Sequence, residues 1–300
     1  MDYIEILLPT FNGEKYLNEL MDSLVSQTYK KFKLITYDDG SSDKSAQIVD
    51  SYRDRLDIIR VENELKENRG ALRAFAYLLR KVEAETIMLC DQDDIWMKNK
   101  IYEKLKYINM LEKKHGKIPL MVFSDLEIID ESGQIINKSF LKNHRFNLNL
   151  LDDIYYLCFK NAAPGCSMMF NRELLKESLP IGSGAIMHDW WLLINASING
   201  IVGFIEEPLI KYRKHSSNAI GPVKDNPNTP VQSILTGFSL NGIRAFNELH
   251  RMLIKQAREA FSHNGKTFFV SRYFLKLFTY RYIYPLIGQF SKKHGEKSWR

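Results

Sequence analysis

Alternation is the strongest constraint on how this chain folds. Short apolar runs at 4–8, 32–37, 56–61, 86–90 and 120–124 trade places with longer segments whose apolar residues recur at helical spacing. The runs are too short for buried helices and read as strands, while the intervening segments read as helices with one apolar face. Tyr16, Leu17, Leu20, Met21, Leu24 and Val25 make one such face, and Leu72, Phe75, Ala76 and Leu79 another. A repeated strand–helix–strand order with short connections requires a parallel sheet covered by helices on both sides. The expected fold is therefore α/β, a Rossmann-like, mainly parallel sheet flanked by helices. In such sheets ligands bind beyond the carboxyl ends of the strands. Two acidic clusters fall there, Asp38-Asp39-Gly40-Ser41-Ser42-Asp43 after the second strand and Asp91-Gln92-Asp93-Asp94 after the fourth.

The second half of the chain is less regular. A strand is expected at 165–170 and a helix at 188–197, ended by Asn199-Gly200. Residues 201–204 and 208–212 read as a strand pair, and 221–230 as a Pro-, Asn- and Gly-rich linker. Two further helices are expected at 232–261 and 267–290, forming a C-terminal helical extension.

Charge separates that extension from the rest. The 300 residues carry 42 Lys/Arg and 36 Asp/Glu, but residues 231–300 hold 12 of the basic groups and 3 of the acidic ones. A mildly acidic body thus precedes a basic tail. Within 267–290 aromatic residues interleave with Arg272, Lys276 and Arg281, which suits an anionic membrane interface, a helical cap on the body or a dimer contact. No recognised nucleic-acid motif accompanies the charge, so a nucleic-acid partner is not expected.

Cys90, Cys158 and Cys166 are too few and too irregularly spaced for a disulfide framework or a CxxC zinc grip. No secretory leader pattern and no apolar run of roughly 18 residues occurs. A reducing, cytoplasmic setting is the expectation.

Asp91, Asp93 and Asp94 place three carboxylates within four residues after a buried strand. Such crowding is costly unless a cation neutralises it, and hard oxygen ligands suit Mg²⁺ or Mn²⁺. The Asp38–Asp43 stretch reads either as a turn with a capped helix or as one wall of a nucleotide pocket. The chain has no GxxxxGK[ST] phosphate loop, no GxGxxG after a strand and no GxSxG elbow. Phosphate-loop hydrolysis, dinucleotide redox chemistry and acyl transfer to serine therefore lack support.

Taken in order, these motifs resemble the family-2, GT-A-type nucleotide-sugar glycosyltransferases. The resemblance rests on 6–14 (ILLPTFNGE), Gln27-Thr28-Tyr29, 37–43 (YDDGSSD), Asn68-x-Gly70, 90–96 (CDQDDIW), 165–171 (GCSMMFN), His188-Asp189-Trp190-Trp191 and Tyr212-Arg213-x-His215-x-x-Asn218, and covers roughly residues 3–221. The later motifs look most like the polysaccharide rhamnosyltransferase branch. The resemblance implies a GT-A catalytic domain over 1–221, with a nucleotide-binding half at 1–120 and an acceptor half at 121–221, before the basic extension at 222–300.

It also implies roles. Asp39 would bind the base of a UDP- or dTDP-sugar, with Pro9 and Phe11 beside it. Gly70 would open the helix N-terminus that favours an anion, and Arg73 would contact the diphosphate or the nucleotide. Asp91 would sit near the ribose, and Gln92 would also bind the donor. Asp93 would hold Mg²⁺ or Mn²⁺, with His215 as a second metal contact, and Asp189 would be the general base. The implied partners are a nucleoside-diphosphate sugar and a saccharide or lipid-linked saccharide acceptor, at the cytoplasmic face of the membrane. Two departures stand out. His188 occupies a place that is often acidic, and Ala74-Phe75-Ala76 replaces the usual Ala-Arg-Asn stretch after Asn-x-Gly. No QxxRW motif of processive synthases occurs, so one sugar per encounter is expected. Alternatives are a UDP-hexose transferase of the same fold, a sugar-1-phosphate nucleotidyltransferase and a non-catalytic sugar-binding subunit.

Overall fold

The computed structural model describes residues 3–63, 68–144, 146–151, 153–215 and 240–278. The expected linker at 221–230, Asn218 and the tail beyond 278 lie outside the described residues. The strands are β1 (Ile4–Thr10), β2 (Phe32–Asp38), β3 (Ile58–Val61), β4 (Thr86–Leu89), β5 (Ile95–Trp96), β6 (Leu120–Ser124), β7 (Glu127–Ile129), β8 (Ile135–Asn137), β9 (Met168–Asn171), β10 (Ile201–Ile205) and β11 (Ile210–Arg213). The helices are α1 (Glu14–Val25), α2 (Ser45–Asp50), α3 (Ala71–Leu79), α4 (Lys100–His115), α5 (Phe140–Asn143), α6 (Ile154–Leu157), α7 (Arg172–Ser178), α8 (His188–Asn199), α9 (Leu240–His263) and α10 (Val270–Phe278).

A seven-stranded sheet runs in the order β10-β6-β9-β4-β1-β2-β3. β1, β2, β3 and β4 are parallel, and so are β6 and β10, whereas β9 is antiparallel to both of its neighbours. The mainly parallel α/β fold read from the alternation is the one observed. Its physical basis is visible in β1, where Ile4, Ile6, Leu7 and Leu8 are buried on both faces of the sheet, as a central parallel strand requires. On one side Leu17, Leu20, Met21 and Leu24 of α1 join Ile6, Leu8, Leu34 and Met88; on the other, Phe75, Leu78 and Leu79 of α3 join Leu7, Ile35 and Leu89.

The expected strand pair at 201–204 and 208–212 is corrected. β10 extends the large sheet beside β6, while β11 enters a separate four-stranded sheet ordered β5-β11-β7-β8. Glu206, Glu207 and Pro208 carry the chain from one sheet to the other, so the two strands never meet as a hairpin. β5, β7 and β8 are additions too short to register as apolar runs, at two or three residues each. The strand expected at 165–170 begins instead as a 3₁₀ turn, Gly165–Ser167, before β9.

The C-terminal helices fall largely within the stretches expected to be helical, with α9 running two residues past the expected end at 261. Leu253, Ala257, Ala260 and Phe261 of α9, with Phe268 and Tyr273, bury Trp191 and Ile194 of α8. Among the described residues the extension is thus a cap on α8, and no helix is long and apolar enough to cross a membrane.

Candidate active site

The register sets the stage, because Thr10 of β1 lies level with Asp38 of β2 and both chains leave the sheet together. Asp38 closes its own turn by accepting the N–H groups of Gly40 and Ser41 at 2.9 and 2.7 Å. The following side chains then serve the neighbouring loop. Ser41, Ser45 and Asp43 accept the backbone N–H groups of Asn12, Gly13 and Glu14 at 3.0, 2.8 and 2.9 Å. The Ser/Asp cluster therefore caps the start of α1, one strand away, rather than only the helix that follows it, and it satisfies donors that a helix leaves open.

Asp39 is buried, and its carboxylate accepts the N–H groups of Arg69 and Gly70, each at 2.9 Å. Gly70 takes φ +76° here, a left-handed conformation that a Cβ would strain, and it opens α3. Arg73 is exposed in the first turn of that helix. Pro9 is part-buried in β1 and Phe11 is exposed just beyond it. Phe11 is held by Gln92, whose side-chain oxygen accepts its N–H at 2.8 Å while the side-chain amide donates to its carbonyl at 2.9 Å. Gln92 thus ties the first loop to the loop after β4, with both ends of its amide engaged on backbone.

At the end of β4 the carboxylates crowd. Burial, then the neighbouring charges of Asp93 and Asp189, push the Asp91 carboxyl up to about 7. Burial with Asp93 and Asp91 alongside also raises Asp94, whose Oδ1 accepts the Arg213 N–H at 3.1 Å. Asp93 Oδ2 lies 2.7 Å from His215 Nε2.

Arg213 fixes this arrangement. It is fully buried, donates through Nε to the Asp93 carbonyl at 3.0 Å, through Nη1 to the Glu131 carbonyl at 3.1 Å, and pairs through Nη2 with Glu19 at 2.9 Å. Breaking such an assembly strands several buried polar groups at once.

Asp91, Asp94 and Cys166 offer ligand atoms within 4.8 Å of one another. A hard cation suits that set poorly, because the Cys166 thiol is soft and burial pushes its pKa up, keeping it protonated. Asp93 and His215 offer an oxygen and an imidazole nitrogen of the kind that suits Mn²⁺ or Mg²⁺. A cation bound there would favour the ionised Asp91 carboxylate that burial and the neighbouring carboxylates now disfavour.

Asp189 is buried in the first turn of α8, where the helix dipole favours a carboxylate. Its Oδ2 accepts the Gly165 N–H at 3.0 Å and its Oδ1 the Trp190 N–H at 2.6 Å. Gly165 packs against Leu89, the last residue of β4, which brings Asp189 to the same strand end as Asp91. Beside it His188 stacks on Phe75, ring centroids 4.0 Å apart, and burial pulls its pKa down to about 4, so the ring is neutral.

The structure thus gathers Asp91, Asp93, His215 and Asp189 at one strand end, places Pro9, Phe11, Asp39 and Gly70 along the adjoining edge, and leaves Arg73 at the surface. Sequence reasoning missed the support behind them. Lys100 and Lys104 are wholly buried and donate to the carbonyls of Cys166 and Ser167, the former at 2.8 Å. Their signal was present, since both lysines fall in phase with Ile108 and Leu111 on the buried stripe of α4.

Known proteins resemble this chain in sequence and in fold. Residues 5–178 match the sequence pattern of glycosyl transferase family 2. The chain is similar to an uncharacterized glycosyltransferase of Rickettsia typhi, 26% identical over 275 residues that cover 91% of this chain and 81% of the relative. It spans only 34% of longer relatives in Rickettsia conorii and Rickettsia felis. The dTDP-rhamnosyl transferase RfbG of Shigella flexneri is 25% identical over 226 residues, 71% of this chain and 73% of that protein.

Among solved structures, TarS 1–349 of S. aureus in complex with UDP-GlcNAc has a TM-score of 0.56 at 17% identity, covering 87% of this chain and 73% of that one. The mannosyltransferase PcManGT of Pyrobaculum calidifontis, in complex with GDP-Man and Mn²⁺, has a TM-score of 0.54 at 15% identity, covering 97% of this chain and 84% of that one. These structural likenesses establish the shared GT-A fold. With that fold in place and the family pattern running through more than half of its length, the chain belongs to glycosyl transferase family 2.

Proposed function

We propose that the protein is an inverting, metal-dependent transferase that moves one sugar from a dTDP- or UDP-sugar to a saccharide acceptor in the synthesis of a bacterial surface polysaccharide. The observation that carries this reading is the convergence of Asp91, Asp93 and Asp189 at the end of β4, with Asp189 held by backbone N–H groups on both oxygens. Similarity to a dTDP-rhamnosyl transferase favours dTDP-rhamnose as the first donor to test.

In this reading Asp39 and the neighbouring loop seat the nucleoside. Asp93 and His215, with Asp91 beside them, would hold Mg²⁺ or Mn²⁺, which when bound neutralises negative charge on the diphosphate. Asp189 accepts the proton of the acceptor hydroxyl as that oxygen attacks the anomeric carbon, and the bond to the nucleoside diphosphate breaks. Lys100 and Lys104 keep the turn at Gly165–Ser167 in place, and with it the N–H group that orients Asp189.

A thermal-shift panel of nucleotide sugars with and without Mn²⁺ tests the reading, because a ligand that binds only the folded state raises Tm. Selective, Mn²⁺-dependent stabilisation by dTDP-rhamnose is expected; stabilisation by a UDP-hexose instead would move the donor, and none by any nucleotide sugar would end the proposal. The panel has a pH signature too. Asp91 titrates near 7 in the fold but at about 3.9 when unfolded. Between about pH 4 and 7 the native state therefore holds a proton that the unfolded chain has lost, and stability without metal falls as pH rises through that window. A cation beside Asp91 must displace that proton, so the Mn²⁺ shift should be larger at pH 8 than at pH 6. Equal shifts would place the ion elsewhere.

A seat on an anionic bilayer is the second part of the reading. Phe269, Phe274 and Leu275 are exposed, with Arg272 lying 5.3 Å from the Phe269 ring. Leu275→Asp should sharply reduce sedimentation with phosphatidylglycerol-rich vesicles while leaving donor binding intact; unchanged sedimentation would leave α10 a cap only.

A further inference from the structure

The short segment Ile181-Gly182-Ser183-Gly184-Ala185-Ile186-Met187 feeds directly into α8, two residues before Asp189. Its backbone is gripped by the C-terminal extension. Ser183 and Gly184 donate their N–H groups to the two oxygens of Glu259 at 2.7 and 2.6 Å, and Ile186 donates to the side-chain oxygen of Gln256 at 2.6 Å. Glu259 and Gln256 lie three residues apart on α9, so one face of one helix makes all three bonds. Those to Glu259 are charge-assisted and correspondingly strong.

The sequence of the segment is fitted to that grip. A Cβ on Gly182 would stand 2.5 Å from the Trp191 ring and 2.8 Å from Glu259 Oε1, and one on Gly184 would collide with Glu259 Oε2. Two glycines let the backbone close around a carboxylate, as successive N–H groups do in an anion-binding concavity. Downstream, Leu253 and Ala257 of the same α9 pack on Trp191 and Ile194. α9 therefore fixes both the entry of the chain into α8 and the helix itself.

We propose that Glu259 and Gln256 are positioning residues for Asp189, so that the C-terminal helix sets the aim of the general base. The proposal rests on the reading of Asp189 as base. The consequence is kinetic, because a displacement of the order of 1 Å at a reacting group costs about 100-fold in rate. Glu259 belongs to α9 and takes no part in the strand-end carboxylate cluster, so donor and metal binding should be spared.

Metal-dependent hydrolysis of dTDP-rhamnose, with water standing in for the acceptor hydroxyl, provides the assay, or of the UDP-sugar that stabilises best if the panel selects one. Glu259→Ala should lower kcat by about 10- to 100-fold with KM for the donor within about twofold, and hydrogen exchange should quicken at 182–191 but not in β4. Glu259→Gln, which keeps one accepting oxygen, should recover much of the rate, and Gln256→Leu should reproduce the loss more weakly.

Full kcat in folded Glu259→Ala protein would overturn the proposal. So would a loss shared equally by kcat and donor affinity, or one that merely tracks the folded fraction. Asp189→Asn run in parallel separates the two claims: hydrolysis near normal in that variant removes the base itself, whereas a dead Asp189→Asn beside a fully active Glu259→Ala removes only the positioning role.

Discussion

Asp189→Asn should leave the protein folded and able to bind donor, yet reduce turnover by about 100- to 10,000-fold, the range that a positioned general base contributes. Asparagine preserves the shape of the site. Its side-chain oxygen can still accept one of the two N–H groups, from Gly165 or Trp190, that hold the carboxylate now. What it cannot do is take a proton from the attacking hydroxyl. The effect should therefore fall on kcat, with donor KM nearly unchanged and Tm lowered only by the one hydrogen bond lost, and initial-rate kinetics with calorimetric donor binding would separate the two. Turnover within tenfold of the wild type would remove Asp189 as base and with it the inverting mechanism proposed above.

Asp93→Asn should have an effect of similar size by another route. Asp93 Oδ2 sits 2.7 Å from His215 Nε2, so the substitution withdraws one carboxylate and unsettles the imidazole that would share the ion. Loss of a partner that only orients a metal ligand costs 10- to 100-fold in affinity, and loss of the ligand itself should cost about 100-fold or more. The Mn²⁺-dependent thermal shift should vanish, and donor binding should weaken with it. Stability without metal should change little, since the substitution also removes a charge that raises Asp91. That combination distinguishes a metal ligand from a structural ion pair, whose loss would lower Tm whether Mn²⁺ is present or not. An undiminished Mn²⁺ shift would release Asp93 from the metal.

The parts of the fold that were legible in sequence are those carried by local periodicity. β1 and α1 announce themselves because most residues of a central strand and one face of its helix are apolar. The two acidic clusters were legible for the same reason, as polar breaks directly after buried strands. The direction of β9 was not, since Met168–Asn171 looks alike whether its neighbours run with it or against it. Nor was the separation of β10 from β11, which is decided by partners at Leu120–Ser124 and Glu127–Ile129 rather than by the short connection between them. Within the site, Asp39, Asp91, Asp93 and Asp189 could be picked out from their motifs. Arg213, Lys100 and Lys104 are buried basic side chains whose partners are mostly carbonyls, a pairing that exists only once the chain has folded. Gln256 and Glu259 are ordinary helix-surface residues until the glycine-bearing segment closes on them.

The antiparallel strand β9 also bears on how the molecule is made. β4 and β6 do not touch; β9 lies between them and pairs with both. A nascent chain that has emerged only as far as residue 125 holds β4 with one naked edge and β6 with no neighbour at all on that side. Such edges invite pairing with other chains. The sheet closes only when residues 168–171 arrive, and the partner strand for the far side of β6 follows at residues 201–205. Ribosome-bound intermediates shorter than about 200 residues should accordingly be the stage at which this protein most needs chaperone protection.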